Sequence, residues 1–372
     1  MVIAELGERL MKFSLFYFDG DGSRVAENSY QLLIDSAKFA DENGFHALWS
    51  PERHFHAFGG LYPNPAVTNT ALAMITNNVQ LRSGSVVLPL HHPVRVAEDW
   101  AVIDNLSNGR VGIGFASGWT VDEFILSREP HGSRRSLLWK SYEQVKKLWA
   151  GEEVEFEEAT GKTVKVKTLP RPLQPNLPAW IACQSTESFI EAGRNGANLL
   201  ISLLGESLEE VTPKIAAYKE ALAKAGHDPA MGKVSMMVHT FMGNDIEKTK
   251  DTVRAPFADY LRTHYHLLEN LAKSMGVNVS LNDFTEDDLE SLLEFGVEGF
   301  MQGRSIIGTP ADCQPFIEKL RAAGVDEVAC LIDFVEDYDL VMESLKYIAE
   351  LKDLCADNAK AETTEEEVVL FG

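Results

Sequence analysis

Short apolar runs alternate with longer amphipathic stretches along most of the chain. Eight apolar runs have the length and composition of β-strands, and they are Lys12–Phe18, His46–Ser50, Gln80–Leu88, Arg110–Ala116, Ala179–Cys183, Ala197–Ser202, Val234–Phe241 and Glu327–Asp333. Helical patterns follow them at Ala26–Asn43, Ala66–Asn77, Val94–Leu106, Arg134–Trp149, Thr186–Arg194, Leu208–Ala225, Ile246–Ser274, Ala311–Ala323 and Val335–Leu354. Near-continuously apolar strands need cover on both faces, so the count predicts an α/β fold, a single closed (β/α)8 TIM barrel. A doubly wound open sheet is the alternative.

Three segments are additional to the strands and helices of a minimal barrel. Gly151–Pro178, after strand 4, alternates polar and apolar residues and then becomes proline-rich, which predicts a hairpin followed by an extended run. Ala255–Arg304, after strand 7, has two helical pieces broken at Gly276–Asn278, as in an insertion that covers a site. We expect one domain over residues 1–355 and a disordered acidic tail over 356–372.

The amino-acid composition and net charge limit the kinds of molecule that the protein is expected to bind. The 372 residues are 45% hydrophobic and 24% charged, and the net charge of −22 opposes general binding to nucleic acid or to an anionic membrane. The four cysteines are scattered, and no spacing typical of a metal site is present. The first residues lack a signal-peptide pattern. We therefore expect a cytoplasmic protein without a metal.

The strongest candidate chemistry follows strand 2. Glu52, Arg53 and His54 come directly after the apolar run Ala47–Trp49, at the end where α/β proteins place reactive groups. Loops after the strands of a barrel converge on one face, so residues distant in sequence can line one pocket. The alternative is a solvated loop whose histidines cap the neighbouring backbone.

Other strand ends carry small or polar residues. Gly84-Ser85 lies inside strand 3, where it allows a close approach or forms a simple bulge. Strand 4 ends in GIGFASGW, a platform whose Trp119 either faces a planar ligand or packs in the core. Ser185 begins the helix after strand 5 and is an ordinary cap or part of an anion site.

Seven segments in the same order resemble the bacterial luciferase-like FMN-dependent monooxygenases. They are PERHF, FGGLYPNP, VVLPLHHPVRVAED, NGRVGIGFASGW, PRPLQPNLPAWIA, GTP and GVDEVACLIDF. The resemblance covers about residues 12 to 353 and is closest to the branch associated with polyketide and nonribosomal peptide biosynthesis.

The resemblance implies a barrel that binds reduced FMN, forms a C4a-hydroperoxide with O2 and transfers one oxygen atom to a substrate. It implies that Glu52 lies beside the flavin and that a cis peptide joins Gly84 and Ser85 under the ring. The residues implied to form the strand 4 wall are Ala116, Ser117, Gly118 and Trp119. Those implied to receive the ribityl phosphate are Gln184, Ser185 and Thr186.

Two positions depart from the family pattern. Arg53 stands where luciferase has its catalytic histidine, which leaves His54 as the candidate proton relay, with Arg53 and Glu52 keeping the site polar. Ser117 stands where luciferase has an arginine that contacts phosphate. Four other arginines are candidates for meeting that charge, namely Arg95, Arg134, Arg135 and Arg304.

The resulting hypothesis is an FMNH2-dependent monooxygenase of secondary metabolism. No NAD(P)H fingerprint is present, so we expect a separate flavin reductase. The substrate is a small molecule or an intermediate tethered to a carrier protein, and the resemblance implies a homodimer. The alternatives are a deazaflavin-dependent oxidoreductase and a flavoprotein without catalytic activity.

Overall fold

The computed structural model describes residues 10–18, 28–203, 205–263 and 285–371. The strands are β1 (Lys12–Phe16), β2 (Ala47–Ser50), β3 (Gln80–Val87), β4 (Val111–Ala116), β5 (Val154–Glu157), β6 (Thr163–Val166), β7 (Ala179–Ala182), β8 (Asn198–Ser202), β9 (Val234–Met242), β10 (Ser305–Gly308) and β11 (Glu327–Leu331). The helices are α1 (Gln31–Glu42), α2 (Pro65–Ala73), α3 (Pro93–Leu106), α4 (Arg134–Ala150), α5 (Thr186–Arg194), α6 (Leu208–Lys224), α7 (Ile246–Thr263), α8 (Glu286–Met301), α9 (Pro310–Ala322) and α10 (Tyr338–Phe371).

Eight parallel strands form the closed barrel that the sequence predicted, in the order β9, β11, β1, β2, β3, β4, β7 and β8, with β8 pairing to β9. The apolar composition of the strands explains their position, because residues such as the nine of β9 are all buried. The open-sheet alternative is therefore wrong. Among the described residues, no helix has the length and apolar character needed to cross a membrane.

The two predicted insertions follow strands 4 and 7 of the barrel. The first contains the antiparallel hairpin of β5 and β6, as predicted. The second contains the end of α7 and the whole of α8, while the predicted break at Gly276–Asn278 lies outside the described residues. The sequence did not predict β10, because a run of four residues is too short to show a strand pattern. It pairs in parallel with the end of β9.

The last helix differs from its predicted bounds. It begins at Tyr338 and continues to Phe371, whereas we predicted an end at Leu354 and a disordered tail. The segment 356–371 contains neither glycine nor proline, so its sequence has no strong helix stop. The acidic tail over residues 356–372 and the division of the chain into one domain and a tail stay predictions.

The chain forms two compact units by its internal contacts. The first comprises residues 1–19, 184–196 and 201–372, and the second comprises 20–183 and 197–200. Helix starts in both follow local sequence signals: Asn64 caps α2 ahead of Pro65, and Thr309 with Asp312 forms a capping box at α9. The residues after β2, β3 and β4 all belong to the second unit.

Candidate functional site

A fully buried carboxylate lies at the centre of the site after β2. Glu52 Oε1 accepts hydrogen bonds from His54 Nε2 at 2.9 Å and from His91 Nε2 at 2.6 Å. Its other oxygen, Oε2, accepts the backbone N–H of Val87 at 2.7 Å. A buried carboxylate needs such partners, because isolated burial of the charge is costly. The solvated-loop alternative is therefore wrong for Glu52.

The electrostatics of this cluster favour an ion pair. Burial alone would raise the pKa of Glu52, but the hydrogen bonds from His54, His91 and Val87 outweigh it and lower the pKa below its usual value. Burial alone would lower the pKa of His91, but its bond to Glu52 and the negative charges of Glu52 and Asp99 raise it. Both shifts stabilise a carboxylate beside an imidazolium.

His54 is held by its backbone as well as by its ring. Its backbone N–H donates to Glu123 Oε1 at 3.2 Å, and Glu123 is itself buried. Glu123 lies in a 3₁₀ turn, Asp122–Leu126, that follows β4. The next residue along from His54, Phe55, is exposed and has a φ of +64°, an uncommon backbone conformation for a residue with a side chain. His54 is thus held at two points, by its backbone N–H on Glu123 and by its ring on the buried Glu52.

Arg53 is buried against aromatic rings. Its guanidinium carbon lies 4.4 Å from the ring centre of Trp119 and 5.2 Å from that of Phe58, distances typical of cation–π contacts. Trp119 is 56% exposed, so the expectation that it packs in the core is wrong. The structure therefore brings the two predicted residues Arg53 and Trp119 together, with a partly exposed indole beside a permanent positive charge.

The Gly84–Ser85 peptide is cis, as the resemblance implied. The pairing of β3 with β4 also shifts between Ser83 and Val86, so the expected bulge is present at the same place. On the neighbouring strand end, Gly118 has a φ of +80°, and a Cβ there would lie 2.8 Å from Val87 Cγ1. Ala116 and Ser117 are partly buried beside it. Both strand ends are built from small residues.

The predicted phosphate residues lie in the other compact unit and form a capped helix start. Ser185 Oγ accepts the backbone N–H of Ser188 at 3.3 Å, which confirms the ordinary cap. Gln184, Ser185 and Thr186 are exposed. Lys214 Nζ donates to the Gln184 carbonyl oxygen at 2.8 Å and to Glu206 Oε1 at 2.5 Å. Lys214 was not foreseen, and anion binding at this helix start stays a prediction.

Three of the four arginines proposed to meet the phosphate charge already have contacts. Arg95 bonds to the carboxylates of Glu98 and Asp99 on its own helix. Arg134 donates to the His131 carbonyl oxygen at 3.3 Å, and the Arg304 guanidinium lies 5.7 Å from the Phe300 ring. A role of these arginines in phosphate binding stays a prediction.

Sequence reasoning missed His91 and Glu123 as members of the cluster. The motif LPLHHPVR contained a signal for the first, since two consecutive histidines come shortly after the end of the barrel strand. Glu123 had no comparable signal, because one acidic residue in a loop of mixed composition is usually solvated. It is 2% exposed here because the 3₁₀ turn folds it toward the His54 backbone.

A sequence model described as luciferase-like monooxygenase matches residues 11–327. The chain belongs to the luciferase-like monooxygenase family. It is therefore an oxidoreductase of a flavin-dependent family. Among curated relatives, this luciferase-like chain is 27% identical over 342 residues to the oxygenase component of the flavin-dependent trigonelline monooxygenase of Acinetobacter baylyi, covering 90% of this chain and 93% of that one.

Solved structures share the fold. The oxygenating constituent of 3,6-diketocamphane monooxygenase of Pseudomonas putida, in complex with FMN, has a TM-score of 0.74 at 19% identity, covering 91% of this chain and 97% of its own. Monooxygenase RslO1 of Streptomyces bottropensis has a TM-score of 0.72 at 24% identity, covering 91% and 98%. An F420-dependent secondary alcohol dehydrogenase has a TM-score of 0.66 at 16% identity, covering 91% and 97%. The fold thus occurs with FMN and with a deazaflavin.

Proposed function

We propose that this luciferase-like chain is the oxygenase component of a two-component system that uses reduced FMN and O2 to oxygenate an organic substrate. The observation that carries the proposal is the buried Glu52 carboxylate hydrogen-bonded to His54, beside a buried Arg53 that lies over an exposed indole. A protein that only stores flavin has no need for such a cluster. The pairing of a proton-transfer group with a fixed cation is what oxygen-transfer chemistry requires.

The residues present fit a flavin. Trp119 offers an exposed aromatic surface, Arg53 offers a cation that stabilises an anionic ring, and the strand 4 wall is made of small residues. Gln184, Ser185 and Thr186 would hold the phosphate at a helix start. When bound, reduced FMN supplies the two electrons that activate O2.

The chain's own proton chemistry follows from the hydrogen bonds. An ionised carboxylate only accepts, so the Nε2 atoms that bond to Glu52 carry the hydrogens, and the neutral His54 ring has its lone pair on Nδ1. His54 can therefore accept a proton at Nδ1 while Glu52 stabilises the resulting imidazolium. Arg53 stays charged and cannot act as a base.

Partners and substrate belong to the same proposal. The names of the trigonelline and diketocamphane relatives describe them as an oxygenase component and an oxygenating constituent, which supports a separate reductase for this chain as well. We propose a substrate of biosynthetic origin, small or carried on a protein, and a homodimer in the cytoplasm. The resemblance to assembly-line enzymes supports this substrate class.

Binding of reduced FMN and of F420, measured separately under anaerobic conditions, tests the cofactor. We expect reduced FMN to bind at least about tenfold more tightly. Preference for F420 would support the deazaflavin-dependent oxidoreductase instead. Substrate-dependent uptake of labelled O2, with one labelled atom in the product, tests oxygenation. Tight FMN binding without any substrate-dependent O2 uptake across a panel of candidate substrates would contradict the proposal.

A further inference from the structure

We propose that His91 is a positioning residue that controls the protonation of His54 by competing for the same oxygen of Glu52. Both imidazoles bond to Oε1, at 2.6 Å for His91 and 2.9 Å for His54. The inference rests on the proposed function only in giving His54 a proton-transfer role. The competition itself is a property of the chain without flavin.

The shared oxygen couples the two rings. Because each Nε2 lies on Oε1, the two nitrogens are at most about 5.5 Å apart. One carboxylate balances one positive charge, so a proton on one ring makes a proton on the other less favourable. The cluster of Glu52, His54 and His91 therefore binds its first additional proton readily and its second only at lower pH.

The surroundings decide which ring carries that proton. His91 has the shorter bond to Glu52, and its side chain is 32% exposed, compared with 13% for His54. A charge is better solvated at the more exposed ring. Asp99 on α3 lines the same small pocket as His91 and Glu52, and its charge helps to raise the pKa of His91. Arg95 bonds to Asp99 and partly offsets that charge.

Charged groups also lie on the other side of the cluster. Arg53, adjacent to His54, opposes a second positive charge there, and Glu123 accepts the His54 backbone N–H. With the proton on His91, a second positive charge on His54 is disfavoured, which keeps the His54 Nδ1 lone pair available. His91 thus favours the protonation state in which His54 can act as a base, while the bond to Glu52 fixes the tautomer.

NMR titration of the histidine rings in the protein without flavin tests the coupling. Relative to wild type, we expect His91→Gln to move the pH at which His54 takes up a proton upward by about half a unit or more. His91→Lys places a lasting charge beside Glu52 and should move it downward. Two shifts of opposite sign cannot come from a general loss of structure. If both variants leave the His54 titration within about 0.2 units of wild type, the proposal is wrong.

A neighbouring histidine provides the matched control. His92 lies next to His91 in the chain, and its ring caps α3 by accepting the Val94 N–H at 3.3 Å. His92→Asn can replace that cap and should leave the His54 titration unchanged. If the wild-type protein shows no preference for FMN or no uptake of labelled oxygen, the proposed function is contradicted but the coupling is not. If the His54 titration is unchanged in both His91 variants, the coupling is contradicted but the proposed function is not.

Discussion

Gly118 is a position where an added methyl group meets both an unfavourable backbone conformation and a close steric contact. Its φ of +80° disfavours any residue with a Cβ, at a cost of about 1–2 kcal/mol. The added Cβ would also lie 2.8 Å from Val87 Cγ1 and 3.0 Å from Phe124 Cε2. These neighbours belong to one buried cluster with Leu90, and the Phe124 ring packs edge-on against His131. Since they have little room to move, overpacking adds about 1–3 kcal/mol.

Gly118→Ala should therefore lower the free energy of unfolding by about 2–5 kcal/mol, as measured by urea denaturation. Gly161→Ala is the matched control, because Gly161 has a φ of +84° but no described atom would lie within 4 Å of its new methyl group. It carries the backbone cost alone, about 1–2 kcal/mol. The difference between the two variants measures the steric contact. Equal losses of stability in the two variants would refute the reasoning about Val87 and Phe124.

Three further results follow from the cluster and the core. His54→Ala should slow substrate-dependent O2 uptake by about a hundredfold or more while FMN affinity changes less than about threefold, and equal loss of both would indicate a structural role. Glu52→Gln should lower the free energy of unfolding by about 1–3 kcal/mol near pH 6. That difference in free energy should become smaller as the pH falls below 4.5, the ordinary pKa of Glu, because the lowered pKa of Glu52 stabilises the fold only while the carboxyl group is ionised. A constant difference from pH 3 to 6 would contradict this. Burial raises the pKa of Cys313, Cys330 and Cys355 to about 12. A thiol reagent at pH 8 should therefore label these cysteines quickly only after denaturation. Rapid labelling of them in the native protein would count against their burial.

The barrel was predictable because its signal is repeated. Eight apolar runs that alternate with helical stretches allow few other arrangements, and small errors at each end do not change the count. The missed β10 shows the limit of this pattern, since Ser305–Gly308 is too short to show a period. The extension of α10 shows another limit, because acidic composition indicates solvation but does not itself end a helix.

The site was predictable only in part. Glu52, Arg53 and His54 are adjacent in the chain, so sequence alone places them together. His91 and Glu123 reach the same cluster from 39 and 69 residues away, through the strand ends that precede them. Such contacts depend on the register of neighbouring strands and on the angle of a short 3₁₀ turn. Neither quantity is encoded in a local pattern of residue types.

The unequal lengths of β2 and β3 have a consequence for how this site tolerates change. Pairing between them ends at Ser50 and Ser83, yet β3 runs on to Val87. The Glu52 carboxylate accepts a hydrogen bond from the Val87 backbone N–H just beyond that point. Glu52 therefore also holds the part of β3 that extends past its pairing with β2. Inserting even one residue between Ser50 and Glu52 would displace the carboxylate. Its hydrogen bonds to the Val87 N–H, to His54 and to His91 would then be lost together. Length variation in this loop should therefore be tolerated only after His54, toward Gly59 and Gly60.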